Sequence, residues 1–447
     1  MGVDMVNLGL GIDTGGTFTD AVIMDLDTKE VLVKAKSPTT YQDLSIGIMG
    51  AIDNSLALQA VDVKDIKMVG LSTTLATNSI LEGRGGEVGL IGIGWKPDAD
   101  WKFPCKLSHF VKGGYDSMGA MSEPLDEEEV QKVIEEMCPH VDSVVVSGKF
   151  SVANPIQEST VRGMITSQYD IPVVQGSHMT AELGIYERTV TAVLNAKLLP
   201  IIRDFLRSVE KALSVRDIDA AVYVFKGDGG LMSLDVAKDM PVETILSGPA
   251  ASLMGGKALA GVESCVVVDI GGTSTDIAYL DDGFPRLRKE GAMVGNWRTR
   301  VQAIDIWTAA LGGDSVVRHD DKGRLTIGPE RVLPLSQASL KYPTLKERIN
   351  ATQGITFYVP NRPPAANFTA KDRSVYEFVQ KNAPCTFHEA ISGIDDVVFV
   401  GDQLNDLKAR GYIIQVGLSP TDAMAVKGIY NVGDKEAAEM GFRLFGE

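Results

Sequence analysis

Short apolar blocks separated by polar stretches run along most of the chain, in a pattern typical of mixed α/β proteins. Residues 68–71, 88–93, 144–146 and 171–174 are brief apolar runs of the kind that form buried strands. Because these runs alternate with helical patterns, we expect parallel or mixed sheets that are covered by helices.

Helical periodicity fills several intervals between these runs. Apolar residues recur every four positions over 44–56, which predicts an amphipathic helix. Asp126 begins an acidic turn with a capping pattern, which predicts the start of another helix. A long helix is predicted over 186–213, with a break or kink at Pro200. Near the end of the chain, the pattern predicts helices over 402–409, 421–426 and 436–445 and a strand over 413–416.

The segment from about 320 to 384 differs from the rest because it is rich in proline. We expect an irregular insertion there, since proline interrupts both helices and central strands. The prolines are Pro329, Pro334, Pro343, Pro360, Pro363, Pro364 and Pro384.

One eight-residue segment occurs twice. Asp13-Thr-Gly-Gly-Thr-Phe-Thr-Asp20 returns 256 positions later as Asp269-Ile-Gly-Gly-Thr-Ser-Thr-Asp276, and six of the eight positions are identical. Each copy follows one apolar run and precedes another, which predicts a strand, a glycine turn and a second strand. The distance between the copies indicates two related lobes and not a short-period repeat protein.

The repeated segment has the residue types that bind phosphate. Paired glycines let the backbone approach a ligand with its amides exposed, and an aspartate at a strand end can hold hydrated Mg²⁺. Simple hairpin turns are the alternative, and the second copy argues against it. Hydroxyl donors come from Thr14, Thr17, Thr19, Thr273 and Thr275.

Composition narrows the choice of partners. The chain has 447 residues and a net charge of −16, which excludes nucleic acid and anionic membranes as general partners. No apolar stretch is long enough for a transmembrane helix, and the N-terminus is typical of a first strand and not of a signal peptide. The four cysteines are far apart, so we expect reduced thiols and a cytoplasmic protein.

Several further motifs extend the similarity over most of the chain. Together with the repeat, they resemble the hydantoinase/oxoprolinase A family within the superfamily of actin, sugar-kinase and heat-shock-chaperone ATPases. The resemblance implies an α/β fold with two ribonuclease-H-like lobes and a nucleotide cleft between them. The matching stretches are 11–20, 73–78, 186–189, 195–196, 229–233, 246–250, 268–276 and 419–423.

The resemblance also implies domain boundaries. An N-terminal lobe would span 1–185, and a second lobe would span 186–420 with the irregular insertion at about 320–384. C-terminal helices over 421–447 would pack back toward the first lobe.

Roles for individual residues follow from the same resemblance. Asp13 and Asp269 would position Mg²⁺ and the transferred group, and Glu187 would be a third catalytic acid unless it only caps the start of its helix. Phosphates of ATP would be held by Thr14, Gly15, Gly16, Thr17, Thr19, Gly271, Gly272, Thr273 and Thr275, and the adenosine by Gly312 and Gly313.

A polar cluster after the strand at 68–71 is assigned to the substrate. Thr73, Thr74, Thr77 and Asn78 would lie at the mouth of the cleft, near phosphate or substrate, although a local helix cap and turn would also explain them.

The chain departs from the family at four positions. Leu71 and Trp307 stand where long family members have histidines, and Ala310 and Asp314 replace glycines of the adenosine loop. The missing histidines weaken a mechanism of metal-assisted ring opening or carboxylation.

Three functions remain open on the sequence. The favoured one is ATP-dependent hydrolysis of a cyclic amide, hydantoin-like or 5-oxoproline-like, by phosphoryl activation. The alternatives are a small-molecule kinase and a nucleotide-gated activator ATPase that works with a partner protein. The sequence is compatible with a separate partner subunit, of the B type that accompanies this A-type family, and with a homo-oligomer.

Overall fold

The computed structural model of the chain describes residues 7–15, 18–40, 43–58, 61–365, 368–395, 397–429 and 433–446. Contacts divide the chain into two units. The first unit comprises Met1–Val267 and Ala278–Ile306, and the second comprises Val268–Ile277 and Trp307–Glu447. This division does not fall at residue 185, and the domains 1–185, 186–420 and 421–447 stay a prediction.

Strands and helices alternate through the first part of the chain. In order they are β1 (Leu8–Thr14), β2 (Phe18–Asp25), β3 (Val31–Pro38), α1 (Leu44–Leu58), β4 (Ile66–Thr73), α2 (Leu75–Leu81), β5 (Val88–Ile93), β6 (Leu107–Val111), α3 (Glu127–Met137), β7 (Ser143–Gly148), α4 (Ile156–Thr166), β8 (Val173–Gln175), α5 (Ile185–Ser214), β9 (Ala221–Phe225), β10 (Leu231–Ser233), α6 (Leu234–Asp239) and α7 (Ser247–Ala260).

The remaining elements follow α7 in the chain. They are β11 (Cys265–Ile270), β12 (Thr275–Asp281), β13 (Phe284–Pro285), β14 (Met293–Val294), β15 (Trp297–Arg298), β16 (Ile306–Ala309), β17 (Ser315–His319), β18 (Leu325–Arg331), β19 (Leu333–Pro334), α8 (Leu335–Lys341), α9 (Leu345–Thr352), β20 (Phe357–Pro360), α10 (Ala370–Asn382), α11 (Phe387–Gly393), α12 (Val400–Ala409), β21 (Ile413–Gly417), α13 (Pro420–Val426) and α14 (Lys435–Gly446).

A mixed six-stranded sheet forms the base of the first unit. Its strand order is β10-β9-β4-β1-β2-β3, with β1, β2 and β3 antiparallel and β4 parallel to both β1 and β9. Residues of α1 and α5 pack on this sheet, and Ile48, Leu194 and Phe205 are fully or almost fully buried there. The sheet therefore presents the first repeat at the end of its central strand.

A second sheet in the first unit is entirely parallel. Its order is β6-β5-β7-β8, and all residues of β5 and β7 are buried. α5 covers part of it through Val193, while α3 and α4 cover another part through Ile134 and Val161. This arrangement confirms the expected α/β class with covered sheets.

The second unit has its own core. A three-stranded sheet in the order β19-β21-β20 packs against helices, with Phe357, Val359 and Val416 fully buried. The last helix, α14, contacts α8, α9 and α13 of the same unit. Its predicted return toward the first lobe stays a prediction.

The proline-rich segment is more regular than its composition indicates. Residues 320–384 contain β18, β19, β20, α8, α9 and α10, so the expectation that this segment is irregular was wrong, whereas its being an insertion stays a prediction. Three of the prolines lie at element boundaries: Pro334 is the N-cap of α8, Pro360 ends β20 and Pro384 follows α10. Proline is tolerated at such ends because no internal hydrogen bond is lost there.

Of the predicted break or kink at Pro200, the break is absent, because α5 runs without interruption from Ile185 to Ser214, and a kink stays a prediction. Leu198, Leu199 and Ile202 are buried on both sides of Pro200, so tertiary packing outweighs the lost helical hydrogen bond. No helix in the described part of the chain has both the length and the apolar character that a membrane span requires.

Candidate functional site

The first glycine turn connects the antiparallel strands β1 and β2. The Gly15 amide donates to the Phe18 carbonyl at 3.0 Å and closes the turn, and the Thr39 hydroxyl donates to the Gly15 carbonyl at 3.0 Å. Gly16 and Thr17, both assigned to phosphate, lie outside the described residues. The turn is therefore supported from outside the repeat, by a residue that follows β3.

Asp13 lies opposite Ser72 in the parallel pair of β1 and β4. The Ser72 hydroxyl donates to Oδ1 of Asp13, and Ser72 is only 6% exposed. This hydrogen bond restrains the carboxylate that the repeat assigns to catalysis. No sequence motif identifies Ser72, because its position beside Asp13 depends on the register in which β1 and β4 pair.

Thr14 is fully buried at the end of β1. Its carbonyl accepts hydrogen bonds from the Thr73 hydroxyl and the Thr74 amide, both at 3.2 Å. Its own Oγ1 has no hydrogen-bond partner among the described residues. A buried hydroxyl without a partner is costly, so Thr14 suits a site where a polar ligand approaches the loop.

Thr19 of the first copy lies next to Thr39, the residue that follows β3. Its hydroxyl is 3.1 Å from the hydroxyl of Thr39, and either group can donate. Because Thr19 is 1% exposed, it supports the turn through Thr39, and direct contact with phosphate stays a prediction.

The four residues assigned to substrate form a network with the start of α7. The Ser247 hydroxyl donates to the Thr73 carbonyl at 3.0 Å, and the Leu246 amide donates to the Thr77 hydroxyl at 3.2 Å. Asn78 Nδ2 donates to the Thr74 hydroxyl at 3.1 Å.

The local alternative of a cap and turn explains these residues only in part. Asn78 bonds Thr74 within α2 and the Leu75 amide donates to the Thr73 hydroxyl, whereas the Thr77 hydroxyl bonds a residue 169 positions away, and Thr74 makes no side-chain capping hydrogen bond. A role toward substrate stays a prediction. Ser247 is fully buried at the beginning of α7, which agrees with a structural serine.

The second glycine turn repeats the hydrogen bond of the first. The Gly271 amide donates to the Ser274 carbonyl at 2.9 Å. Gly271 and Ser274 occupy the repeat positions of Gly15 and Phe18, so the two copies close in the same way despite the change from phenylalanine to serine. The sequence repeat is thus a structural repeat.

The Gly312–Gly313 pair packs against this second turn. The Gly313 amide donates to the Gly271 carbonyl at 2.9 Å, and the Asp314 amide donates to the Gly272 carbonyl at 2.8 Å. A Cβ on Gly312 would lie 2.6 Å from the Gly272 oxygen, so only glycine fits. The structure therefore brings together the two glycine pairs, 41 positions apart, that the sequence assigns to one ligand.

Asp314 and Thr421 complete this cluster, although neither was among the predicted site residues. The Thr421 amide donates to the Gly313 carbonyl at 2.9 Å, and Arg331 forms an ion pair with Asp314 at 3.3 Å. Burial raises the pKa of Asp314, and the hydrogen bonds from Arg331 and Thr421 act in the opposite direction. Two signals in the sequence could have identified these residues. Asp314 stands where the family has a glycine, and Thr421 lies in the motif at 419–423.

The remaining residues of the second copy differ in environment. Asp269 is exposed, and its carboxylate makes no hydrogen bond or ion pair with any residue that the structure describes. Thr273 is exposed as well, whereas the Thr275 hydroxyl donates to the Leu311 carbonyl at 2.6 Å. Asp269 and Thr273 are thus accessible to a ligand, and Thr275 supports the adenosine-type loop.

Glu187 lies in the first turn of α5 and pairs with Arg300 at 3.6 Å. Arg300 also bonds Glu182 at 3.1 Å and the Leu183 carbonyl at 3.0 Å. This ion pair gives Glu187 a structural partner, and its role as a third acid stays a prediction.

The described residues contain no group of three or more His, Cys, Asp or Glu side chains that could hold a metal by themselves. Mg²⁺ that arrives with ATP needs only one or two carboxylates besides phosphate and water oxygens. Asp13, whose carboxylate accepts from Ser72, and the exposed Asp269 are each a single carboxylate of this kind, and their role toward Mg²⁺ stays a prediction. Leu71 is fully buried and Trp307 is 62% exposed, so neither of these two positions provides a metal ligand.

Comparisons with known proteins identify the family that the repeat and the other motifs resemble. The hydantoinase/oxoprolinase N-terminal region model matches residues 9–169, and the hydantoinase/oxoprolinase model matches residues 188–335, together more than half of the chain. The gamma subunit of acetophenone carboxylase from Aromatoleum aromaticum is 30% identical over 73% of this chain and 50% of its own length. The alpha subunit of caprolactamase from Pseudomonas jessenii is 29% identical over 72% of this chain and 50% of its own length.

A solved structure shows the same fold. The crystal structure of ATP-dependent caprolactamase from Pseudomonas jessenii superposes with a TM-score of 0.62 and 23% identity, over 95% of this chain and 63% of the other. This chain spans about half the length of the curated relatives it matches. On the two family matches and the order of its motifs, the chain belongs to the hydantoinase/oxoprolinase family.

Proposed function

We propose that this chain is the ATP-binding part of an enzyme that hydrolyses a cyclic amide after phosphorylating its carbonyl oxygen. The observation that supports this most is the similarity of the two glycine turns. Each turn is closed by a backbone hydrogen bond at the same position of the repeat, and each follows an aspartate. The names of relatives, caprolactamase and ATP-dependent caprolactamase, support both the nucleotide and the substrate class.

The chemistry balances with one ATP and two water molecules. The amide oxygen attacks the γ-phosphorus and ADP leaves. Water then adds to the activated carbon, the C–N bond breaks and the nitrogen takes up a proton, which opens the ring to an acyl phosphate. A second water releases phosphate and leaves an amino acid.

The residues of the chain bind and orient in this scheme. Backbone amides of both glycine turns and the threonine hydroxyls would hold the phosphates, and Ser72 would keep the Asp13 carboxylate in one orientation. Asp13 and Asp269 would hold Mg²⁺, which neutralises phosphate charge during transfer.

A partner subunit is part of the proposal. The relatives that match are named as subunits, and this chain covers about half of their length. We propose that a B-type partner contributes to the site for the cyclic amide and that the assembly is cytoplasmic.

Nucleotide binding is the first test. Calorimetry with Mg²⁺ should detect ATP or ADP binding to the native chain and to Asp204→Asn, whose exposed carboxylate on α5 pairs with Arg207. Asp13→Asn should lose most of the affinity or the turnover while the melting temperature is unchanged. No binding at millimolar nucleotide, or equal behaviour of the two variants, would contradict the proposal.

Product analysis distinguishes the reactions. Mass spectrometry after incubation with ATP and caprolactam should reveal the ring-opened amino acid. A stable phosphorylated product would instead identify a kinase, and turnover that responds only to a partner protein would identify an activator ATPase. Because a relative at 30% identity is a carboxylase subunit, acetophenone with bicarbonate is the second substrate pair to test.

A further inference from the structure

We propose that the carboxyl edge of the parallel sheet β6-β5-β7-β8 is a binding site for a small organic carboxylate with an apolar body. The site lies within the first unit and uses none of the residues of the glycine turns. It does not depend on the proposed function, because binding there is measured without nucleotide.

The sheet topology favours a ligand at this edge. β5 is followed by β6 on one side, and β7 is followed by β8 on the other, so the direction of the connections reverses between β5 and β7. In open α/β sheets, ligands bind outside the carboxyl ends of the strands near such a reversal. The cavity of the proposed site lies at the same edge, on the β6 side of β5.

Three neighbouring strands each lead to a lysine at this edge. Lys96 follows β5 by three residues, and Lys112 and Lys149 directly follow β6 and β7. All three are exposed, and their ammonium groups form no ion pair with any described residue. In a chain with a net charge of −16, three lysines at one sheet edge favour the binding of an anion there.

Glycines bring the strand ends close together. Gly94 has φ +75°, and a Cβ there would lie 2.3 Å from the Gly113 carbonyl oxygen. Gly113 and Gly114 also have positive φ, and a Cβ on Gly114 would be 3.8 Å from Cβ of Lys149. The segments that carry the lysines are therefore packed backbone against backbone.

A cavity of about 350 Å³ lies beside the ends of β5 and β6, where it is lined by Lys96 and Lys112 but not by Lys149. Trp95 and Phe110 line it, with ring centroids 4.9 Å apart and planes at 74°, and Trp95 Nε1 donates to the Ser147 carbonyl at 2.8 Å. These fixed rings provide an apolar wall for the body of a ligand. The other lining residues are Gly94, Lys96, Val111, Lys112, Glu123 and Glu129.

The charges limit the ligand to a single carboxylate. Glu129 and Glu123 line the same cavity, and Glu129 Oε2 already accepts from the Lys112 amide at 3.1 Å. These two carboxylates repel a polyanion, whereas one ligand carboxylate can pair with Lys96 and Lys112. The aromatic wall then selects organic carboxylates over inorganic phosphate.

Hexanoate and its neutral counterpart hexanamide test the site directly. Calorimetry and tryptophan fluorescence, without nucleotide, should show that hexanoate binds clearly more tightly than hexanamide or phosphate. Lys112→Met should weaken hexanoate binding roughly tenfold through loss of a charge-assisted hydrogen bond. Lys34→Met, on β3, removes the same charge at an exposed position and should bind like the native chain.

Three results would overturn the proposal. They are no hexanoate binding at millimolar concentration, equal binding of hexanoate and hexanamide, and equal weakening in Lys112→Met and Lys34→Met. If Lys112→Met has a lowered melting temperature, Lys96→Met at its exposed position replaces it, and unchanged affinity there counts against the site in the same way.

Discussion

Asp13 is restrained by a residue that no motif identifies. Ser72 lies on β4, 59 positions away in the sequence, and its hydroxyl reaches the carboxylate because β1 and β4 pair in parallel with these two residues in register. Ser72 is therefore a positioning residue, provided that Asp13 takes part in phosphoryl transfer.

Removing this hydroxyl should slow ATP turnover with little effect on nucleotide affinity. In Ser72→Ala, we expect kcat to fall roughly tenfold because a charge-assisted hydrogen bond to the carboxylate is lost. KM for ATP should change little, and Ser72→Thr, which keeps a hydroxyl, should restore part of the rate. Full turnover in Ser72→Ala would show that Asp13 needs no such restraint.

Three of the four cysteines are shielded. Burial raises the pKa of the Cys105, Cys138 and Cys385 thiols to about 11. Since the thiolate is the reactive form and a raised pKa lowers its fraction at neutral pH, these groups should be poorly reactive.

Alkylation with iodoacetamide at pH 8 checks this expectation. The three thiols should react roughly 100-fold more slowly than an ordinary cysteine, and their rates should rise about tenfold for each pH unit as long as the fold persists. The chain unfolded in urea is the control, because all four cysteines should then react alike. Rapid modification of Cys138 in the native chain would contradict the burial argument.

At the scale of elements, a buried carboxylate joins α4 to the end of β7. Glu158 is 1% exposed, and its oxygens accept from the Gly148 amide at 2.7 Å and from the amide and hydroxyl of Ser177 at 3.0 and 2.6 Å. Arg188, also 1% exposed, donates to the Gly148 carbonyl at 2.7 Å. The peptide at Gly148 is thus held from both sides.

Loss of this carboxylate should destabilise the first unit strongly. Glu158→Ala leaves three donors and the buried Arg188 charge without compensation, so the free energy of unfolding should fall by about 3–5 kcal/mol. Glu128→Ala, at an exposed position in α3, should change it by less than about 0.5 kcal/mol. Urea denaturation gives both values, and similar losses in the two variants would refute the buried role.

Helix ends show where local chemistry was sufficient. Asp126 accepts from the Glu129 amide at 3.0 Å and begins α3 as predicted. The prolines after residue 320 were misleading because proline is equally suited to an irregular segment and to the boundary of a regular element. Only the packing of Leu335, Phe357 and Val375 decides between these outcomes.

At the scale of the whole molecule, the two units have separate hydrophobic cores. Leu194 is 1% exposed in the core around the six-stranded sheet, and Leu404 is fully buried in a core of the second unit. Separate cores permit separate unfolding steps.

A matched pair of core substitutions tests this independence. Leu194→Ala and Leu404→Ala should each cost about 2–5 kcal/mol because each leaves a cavity. Calorimetry should resolve two transitions, with each substitution lowering only the transition of its own unit. A single transition that both substitutions shift equally would show that the units unfold together.

Alternation of apolar and polar residues was sufficient to identify the α/β class, and the eight-residue repeat was sufficient to identify both glycine turns. These features are local, because a glycine turn or an amphipathic period depends on residues close in sequence. The Ser72–Asp13 hydrogen bond, the contact of Thr421 with Gly313 and the grouping of the three sheet-edge lysines depend on strand register and long-range packing. They emerge only when the whole chain is folded, since many weak contacts between distant residues set those positions together.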